Sequence, residues 1–93
     1  MMSKIPVNLN EKIKENDMEI LRVGMIAELD AINLYEQMAN SAKDLNIKKV
    51  LLDIAKEEKT HAGEFQEMLV RLDSEQKQEL LKGKKEIEDL TGE

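Results

Sequence analysis

Cysteine is absent from the 93 residues, and histidine occurs once, at position 61. The first absence excludes disulfides, thiolate nucleophiles, iron–sulfur clusters and cysteine-based zinc sites. Any metal must be held by carboxylates and a single imidazole. Tryptophan is also missing, the aromatic residues are Tyr35 and Phe65 alone, and there is one proline, Pro6. With Leu, Ile, Met, Ala, Glu and Lys dominant, this composition favours helix over sheet. No apolar run approaches the roughly 20 residues that span a bilayer, and Met1 to Pro6 lacks the apolar centre of a signal peptide. The expected location is the cytoplasm, or something made there, with no membrane partner. Basic residues are outnumbered 14 to 20, for a formal net charge of −6. The basic face that phosphate neutralisation requires is therefore lacking, which excludes nucleic acid as a partner class. A mixed Glu/Lys surface serves solubility and i, i+4 pairing before it serves cation steering.

A chain of this length makes one domain and buries a limited core by itself, so association with other chains is the default expectation. Residues 1–15, including Ile5-Pro6-Val7-Asn8-Leu9-Asn10, have little periodicity and read as an N-terminal arm. Residues 16–93 form the domain. Asn16 or Asp17 caps a first helix, with Glu19 in its opening turn, running to about Ala42 or Asp44. Its stripe reads Leu21, Gly24 or Met25, Glu28, Ala31 or Ile32, Tyr35, Met38 or Ala39, and Ala42. Gly24 costs roughly 1 kcal/mol relative to Ala inside a helix, and close approach of a neighbouring helix is the natural reason for it. Lys43-Asp44-Leu45-Asn46 is a short polar break, which implies antiparallel neighbours. The second helix covers about Ile47 to Leu72 with a stripe of Ile47, Leu51, Ile54, Phe65, Met68 or Leu69, and Leu72. Asp73 with Gln76 resembles a capping box and starts a third, short helix, expected to stop near Gly83, with a further turn or two over Lys84 to Leu90. The fold class is all-α: an antiparallel two-helix hairpin plus a short C-terminal helix.

Glu58 and His61 fall where the apolar stripe of the second helix should continue, and a carboxylate and an imidazole aimed inward are costly unless something needs them. Their i, i+3 offset puts an oxygen and a nitrogen on one helix face within reach of one cation. The plain alternative is a surface pair, but Glu57, Lys59 and Glu64 already supply the polar face. In the first helix Glu28 interrupts the stripe in the same way. Asp30 and Glu36 are nearby alternatives, yet only Glu28 is in register with Tyr35, two turns on. Tyr35 divides between core packing and a hydroxyl partner for a ligating carboxylate. Met18, Met25, Met38 and Met68 read as packing, since a soft-metal site without Cys is disfavoured. Dinuclear carboxylate sites in four-helix bundles take one Glu from each of two helices and a Glu-x-x-His pair from each of the other two. This chain supplies half of that set. Two chains about a two-fold axis would complete a four-helix bundle with four carboxylates and two imidazoles.

The run Ala27-Glu28-Leu29-Asp30-Ala31-Ile32-Asn33-Leu34-Tyr35-Glu36, followed by Glu57-Glu58-Lys59-Thr60-His61, resembles the Glu-x6-Tyr and Glu-x-x-His motifs of the ferritin-like superfamily. The shortness of the chain points within it to the encapsulated ferritins. The resemblance spans about residues 16 to 90. It implies that Glu28, Glu58 and His61 are catalytic iron ligands, with Tyr35 beside a di-iron centre shared by two subunits. It further implies a ferroxidase that oxidises Fe(II) with oxygen, a homodimer as the minimal unit within a homodecamer ring, and work inside an encapsulin shell that holds the mineral. Two departures stand out. Ala27 replaces the acidic residue that often precedes the lone ligand Glu, leaving Asp30 nearby. The C-terminal Leu90-Thr91-Gly92-Glu93 is not the short apolar and basic tail by which many such cargo proteins are captured, which implies a domain normally fused to its shell or captured differently. Two rival readings remain: a rubrerythrin-like peroxidase or other di-metal oxygen enzyme, and a metal-free helical adaptor that dimerises through its stripes.

Overall fold

The computed structural model describes residues 16–93; the arm expected over residues 1–15 lies outside the described residues. The domain contains α1 (Asp17–Ser41), α2 (Leu45–Leu72) and α3 (Ser74–Thr91), and no strand occurs among the described residues.

Each helix starts on a short polar side chain that satisfies backbone N–H groups the helix itself leaves unbonded. Asn16 Oδ1 accepts from Glu19 N at 3.0 Å, with Asp17 and Glu19 in the first turn where negative charge suits the dipole. Asp44 Oδ1 accepts from Asn46 N and Ile47 N at 2.8 and 3.0 Å. This cap starts α2 two residues before the expected Ile47 and shortens the break to Ala42–Asp44. Asp73 ends α2 and, accepting from Gln76 N at 3.0 Å, begins α3.

The expected stop of the third helix near Gly83 is corrected: α3 continues for 18 residues to Thr91. A single interior Gly costs about 1 kcal/mol, which the surrounding Glu, Lys and Leu residues tolerate. No atom lies within 4 Å of where a Cβ on Gly83 would stand. The terminator is Gly92, whose φ of 80° only Gly adopts without strain, and whose N–H donates to the Glu88 carbonyl at 2.8 Å.

α1 and α2 are antiparallel: going up α1, Gly24, Glu28 and Glu36 face Phe65, His61 and Lys59 in descending order on α2. Their seam buries Ile32, Ala39, Ala55 and Leu69. Ala39 and Ala55 are its small, almost fully buried members, and farther along the Phe65 ring fills the space that the missing side chain of Gly24 leaves. α3 leaves the hairpin without approaching α1 closely, giving a thin plate of 45 × 45 × 19 Å. Several residues expected to be core are not covered by the other described residues: Met38, Ile47, Met68 and Leu72 are each about half exposed. One hairpin has one inner seam, and side chains a third of a turn away from it have nothing to pack on. No helix among the described residues is long and apolar enough to cross a membrane.

Candidate metal centre

Glu28 sits at the middle of α1, and Glu58 and His61 share one turn of α2. The antiparallel register brings the three together, with one ligand-capable atom of each lying within 4.8 Å of the other two. His61 Nδ1 is 3.4 Å from Glu58 Oε2 and 3.7 Å from Glu28 Oε2. Both separations exceed those of good hydrogen bonds. Two donors about 2.1 Å from one ion lie about 3.0–3.4 Å apart at octahedral to tetrahedral angles; the Glu58 separation falls at the edge of that range, and the Glu28 separation of 3.7 Å is a few tenths of an ångström wider, so a shared cation would draw Glu28 inward. The oxygen and imidazole donor set fits a first-row divalent metal. No lysine or arginine pairs with either carboxylate of the cluster among the described residues.

The two glutamates are mostly covered, with side-chain exposures of 21% and 19%, whereas His61 is 47% exposed. The imidazole was expected to point inward; it instead stands at the edge of the seam. It borders an open cleft of about 360 Å³ lined by Leu21, Glu28, His61, Glu64, Phe65 and Met68. The donors thus occupy one side of a space whose other side is not filled by the described residues.

Of the carboxylates near Glu28, the structure takes the alternatives elsewhere. Glu36 pairs with Lys59 at 3.2 Å. Asp30, a little over half a turn round α1 from Glu28, is buried at 7% and away from the cluster. Tyr35 is half-buried, two turns along α1 from Glu28. Glu64, read from sequence as a solvated charge, lines the cleft; its i, i+3 relation to His61 was the available signal. Phe65, read as core, forms a wall of the same cleft.

Comparison with known proteins extends this picture. The rubrerythrin family model matches residues 19–91. A ferritin-like-encapsulin shell fusion protein of Pyrococcus furiosus is 54% identical over 95 residues, covering 99% of this chain and 28% of that protein. An encapsulin nanocompartment cargo protein of Myxococcus xanthus is 41% identical over 56 residues, covering 60% of this chain and 43% of that protein. The chain therefore spans less than half the length of either relative. The crystal structure of the encapsulated ferritin domain from Pyrococcus furiosus superposes with a TM-score of 0.82 at 52% identity, covering 100% of this chain and 90% of that one. On the helical hairpin, on the family match and on this likeness, the chain belongs to the rubrerythrin family of ferritin-like proteins, in its encapsulated-ferritin branch.

Proposed function

We propose that residues 16–93 are a ferritin-like half-bundle domain and that two copies form a ferroxidase, oxidising Fe(II) to Fe(III) at a di-iron centre between them. The observation that carries this reading is the convergence of Glu28, Glu58 and His61 on the open side of the seam. Three donor residues from one chain under-coordinate an ion, whereas two copies facing each other across the cleft would pool eight carboxylate oxygens and two imidazole nitrogens, enough for up to five protein donor atoms to each of two ions. Glu28 and Glu58 attract and hold Fe(II) by charge, and His61 adds a terminal nitrogen. Hard oxygen donors favour Fe(III) over Fe(II), so the site assists the loss of one electron from each of two ions to oxygen. The apolar residues Leu21, Phe65 and Met68 keep bulk water from the ligands once the copies close.

The names of the relatives support the setting. Two of them are described by their association with encapsulin, one as a fusion with the shell and one as cargo. We place this domain inside an encapsulin nanocompartment, with the shell protein as partner and a homodecamer ring as its assembly. A two-helix protomer has no interior for mineral, so storage falls to the shell.

Anaerobic Fe(II) addition followed by air tests the activity. Faster growth of ultraviolet absorbance than in buffer alone is expected, and equal rates reject it. Native mass spectrometry with and without Fe(II) tests the shared site, the expected result being even-numbered assemblies that gain two irons per pair of chains. The rubrerythrin family match supports a second reading, a di-metal peroxidase. Oxidation by peroxide much faster than by oxygen, in the same stopped-flow assay, would favour it. The lack of Cys denies this chain a rubredoxin-type electron donor of its own.

A further inference from the structure

Gly24 and Phe65 lie one helical turn from the proposed ligands, in opposite chain directions. Gly24 precedes Glu28 by four residues, and Phe65 follows His61 by four. In an antiparallel hairpin these pairs are successive rungs, about 6 Å apart along the seam. A Cβ placed on Gly24 would come within 2.5, 2.7 and 2.8 Å of Phe65 Cε1, Cζ and Cδ1. Carbon atoms in contact stand about 3.5–4.0 Å apart. The ring therefore occupies the space that any other residue at position 24 would fill with its own side chain. The same ring lines the cleft beside Glu28 and His61.

We infer that Gly24 and Phe65 form a packing lock that sets the separation of α1 and α2 at the rung carrying Glu28 and His61. They are positioning residues: neither offers a ligand atom. For its purpose the lock rests on the metal reading above, but its geometry does not. A methyl group at position 24 forces either the ring out into the cleft or the helices apart by about 1 Å. Both responses reach the next rung, where donor atoms must be held to within about 0.5 Å to share an ion. Since Gly to Ala also raises helix propensity, the change is expected to disturb the site while leaving helical content intact.

The chain has one Phe, one Tyr, one His and no Trp, so the ring protons of Phe65 and His61 are separately visible by NMR. In the metal-free protein, nuclear Overhauser contacts between Gly24 Hα and the Phe65 ring are expected, and Gly24→Ala should shift the His61 ring signals. Co(II) titration then reads the consequence. Gly24→Ala is expected to lower affinity by about tenfold or more, as changes behind metal ligands do. Adding Phe65→Leu should restore affinity to within about twofold of Phe65→Leu alone. The lock is overturned if the Gly24–Phe65 contact is absent, if Gly24→Ala leaves both His61 and the Co(II) affinity unchanged, or if the double variant binds no better than Gly24→Ala. A wild-type protein that binds no Co(II) counts against the metal reading instead. The lock then stands or falls on whether the metal-free His61 signals move. Should Gly24→Ala fail to fold, the double variant decides: native His61 signals and near-native affinity support the lock, and a folded protein with displaced His61 and weak binding refutes it.

Discussion

The hairpin has two long edges, and they are finished differently. On one, Lys59 of α2 reaches across to Glu36 of α1 at 3.2 Å, so the chain closes this edge with its own charges, between exposed Leu29 and Leu52. On the other edge, at about 100° per residue around each helix, lie Ile20 and Met38 of α1 and Ile47, Val50, Met68 and Leu72 of α2, all exposed, with His61 among them. No lysine or arginine bridges the helices there among the described residues. Single exposed apolar residues are ordinary, but six aligned along one edge are not, and apolar patches of this kind mark association. The polar cluster in the middle of this strip is the part that hydrophobic association alone does not explain. A metal-free adaptor needs the strip and gains nothing from Glu28, Glu58 and His61. A shared metal site needs both.

Removing a ligand should break this edge most completely. Glu28→Ala, Glu58→Ala or His61→Ala each takes one donor from every half site and two from every complete one. Iron oxidation is expected to fall by at least about 100-fold, to the rate in buffer, read from the absorbance rise after air is admitted. Metal-dependent assembly should weaken in parallel by native mass spectrometry. The monomer itself should keep its helicity, because the apolar residues buried in the seam, Ile32, Ala39, Ala55 and Leu69, are untouched. Oxidation that survives any one of these changes would remove the proposed centre.

A charge placed on the strip away from the ligands separates assembly from chemistry. Val50 is 58% exposed in the single chain and lies eight residues, about two turns, from Glu58. Val50→Glu costs the free chain little, but burying an unpaired carboxylate against a second copy costs several kcal/mol. Association should weaken by about 100-fold, measured by sedimentation, and oxidation should fall with it although every ligand is intact. Oxidation by a dispersed Val50→Glu chain at the native rate would mean that one copy suffices.

Much of this arrangement was legible in the sequence because helical periodicity is a local property. The stripes of α1 and α2 place Glu28 and Glu58 on largely covered faces with His61 on the neighbouring turn, Asn16 and Asp73 announce helix starts, and Gly24 signals a close neighbour. What periodicity does not supply is the rotation and axial offset of one helix against another. Those decide that Phe65 is the neighbour of Gly24, that Lys59 meets Glu36, and that His61 stands at the rim with half its surface free. The length of α3 departs from expectation for a different reason. Helix-forming residues on both sides of Gly83 outweigh one interior Gly, and the left-handed conformation that ends the helix falls at Gly92.

Asp73 tests how far α3 depends on its own start, since the helix has no buried residue. Asp73→Ala removes the acceptor for Gln76 N and should cost about 1 kcal/mol. Most of that cost is expected as fraying of α3, visible as faster hydrogen exchange over its first turns, with the α1–α2 seam and the iron chemistry unaffected. Loss of oxidation in this variant would mean that α3 takes part in assembling the site.

The closed edge should be the least sensitive. The Lys59 and Glu36 side chains are 60% and 46% exposed, so water and salt screen their attraction, and exposed pairs of this kind contribute at most about 1 kcal/mol. Lys59→Met removes the charge while keeping the stem that lies along the helix. The melting temperature is expected to shift by only a few degrees, the shift should shrink further at high salt, and the rate of iron oxidation should hold. The value of this variant lies in its position beside Glu58. If neutralising Lys59 raises iron affinity instead, its positive charge opposes cation binding at the neighbouring carboxylate, and the two edges are coupled through α2. If the rate is unchanged, the Lys59–Glu36 edge is independent of the proposed centre, and whatever the opposite edge does, it does without this pair.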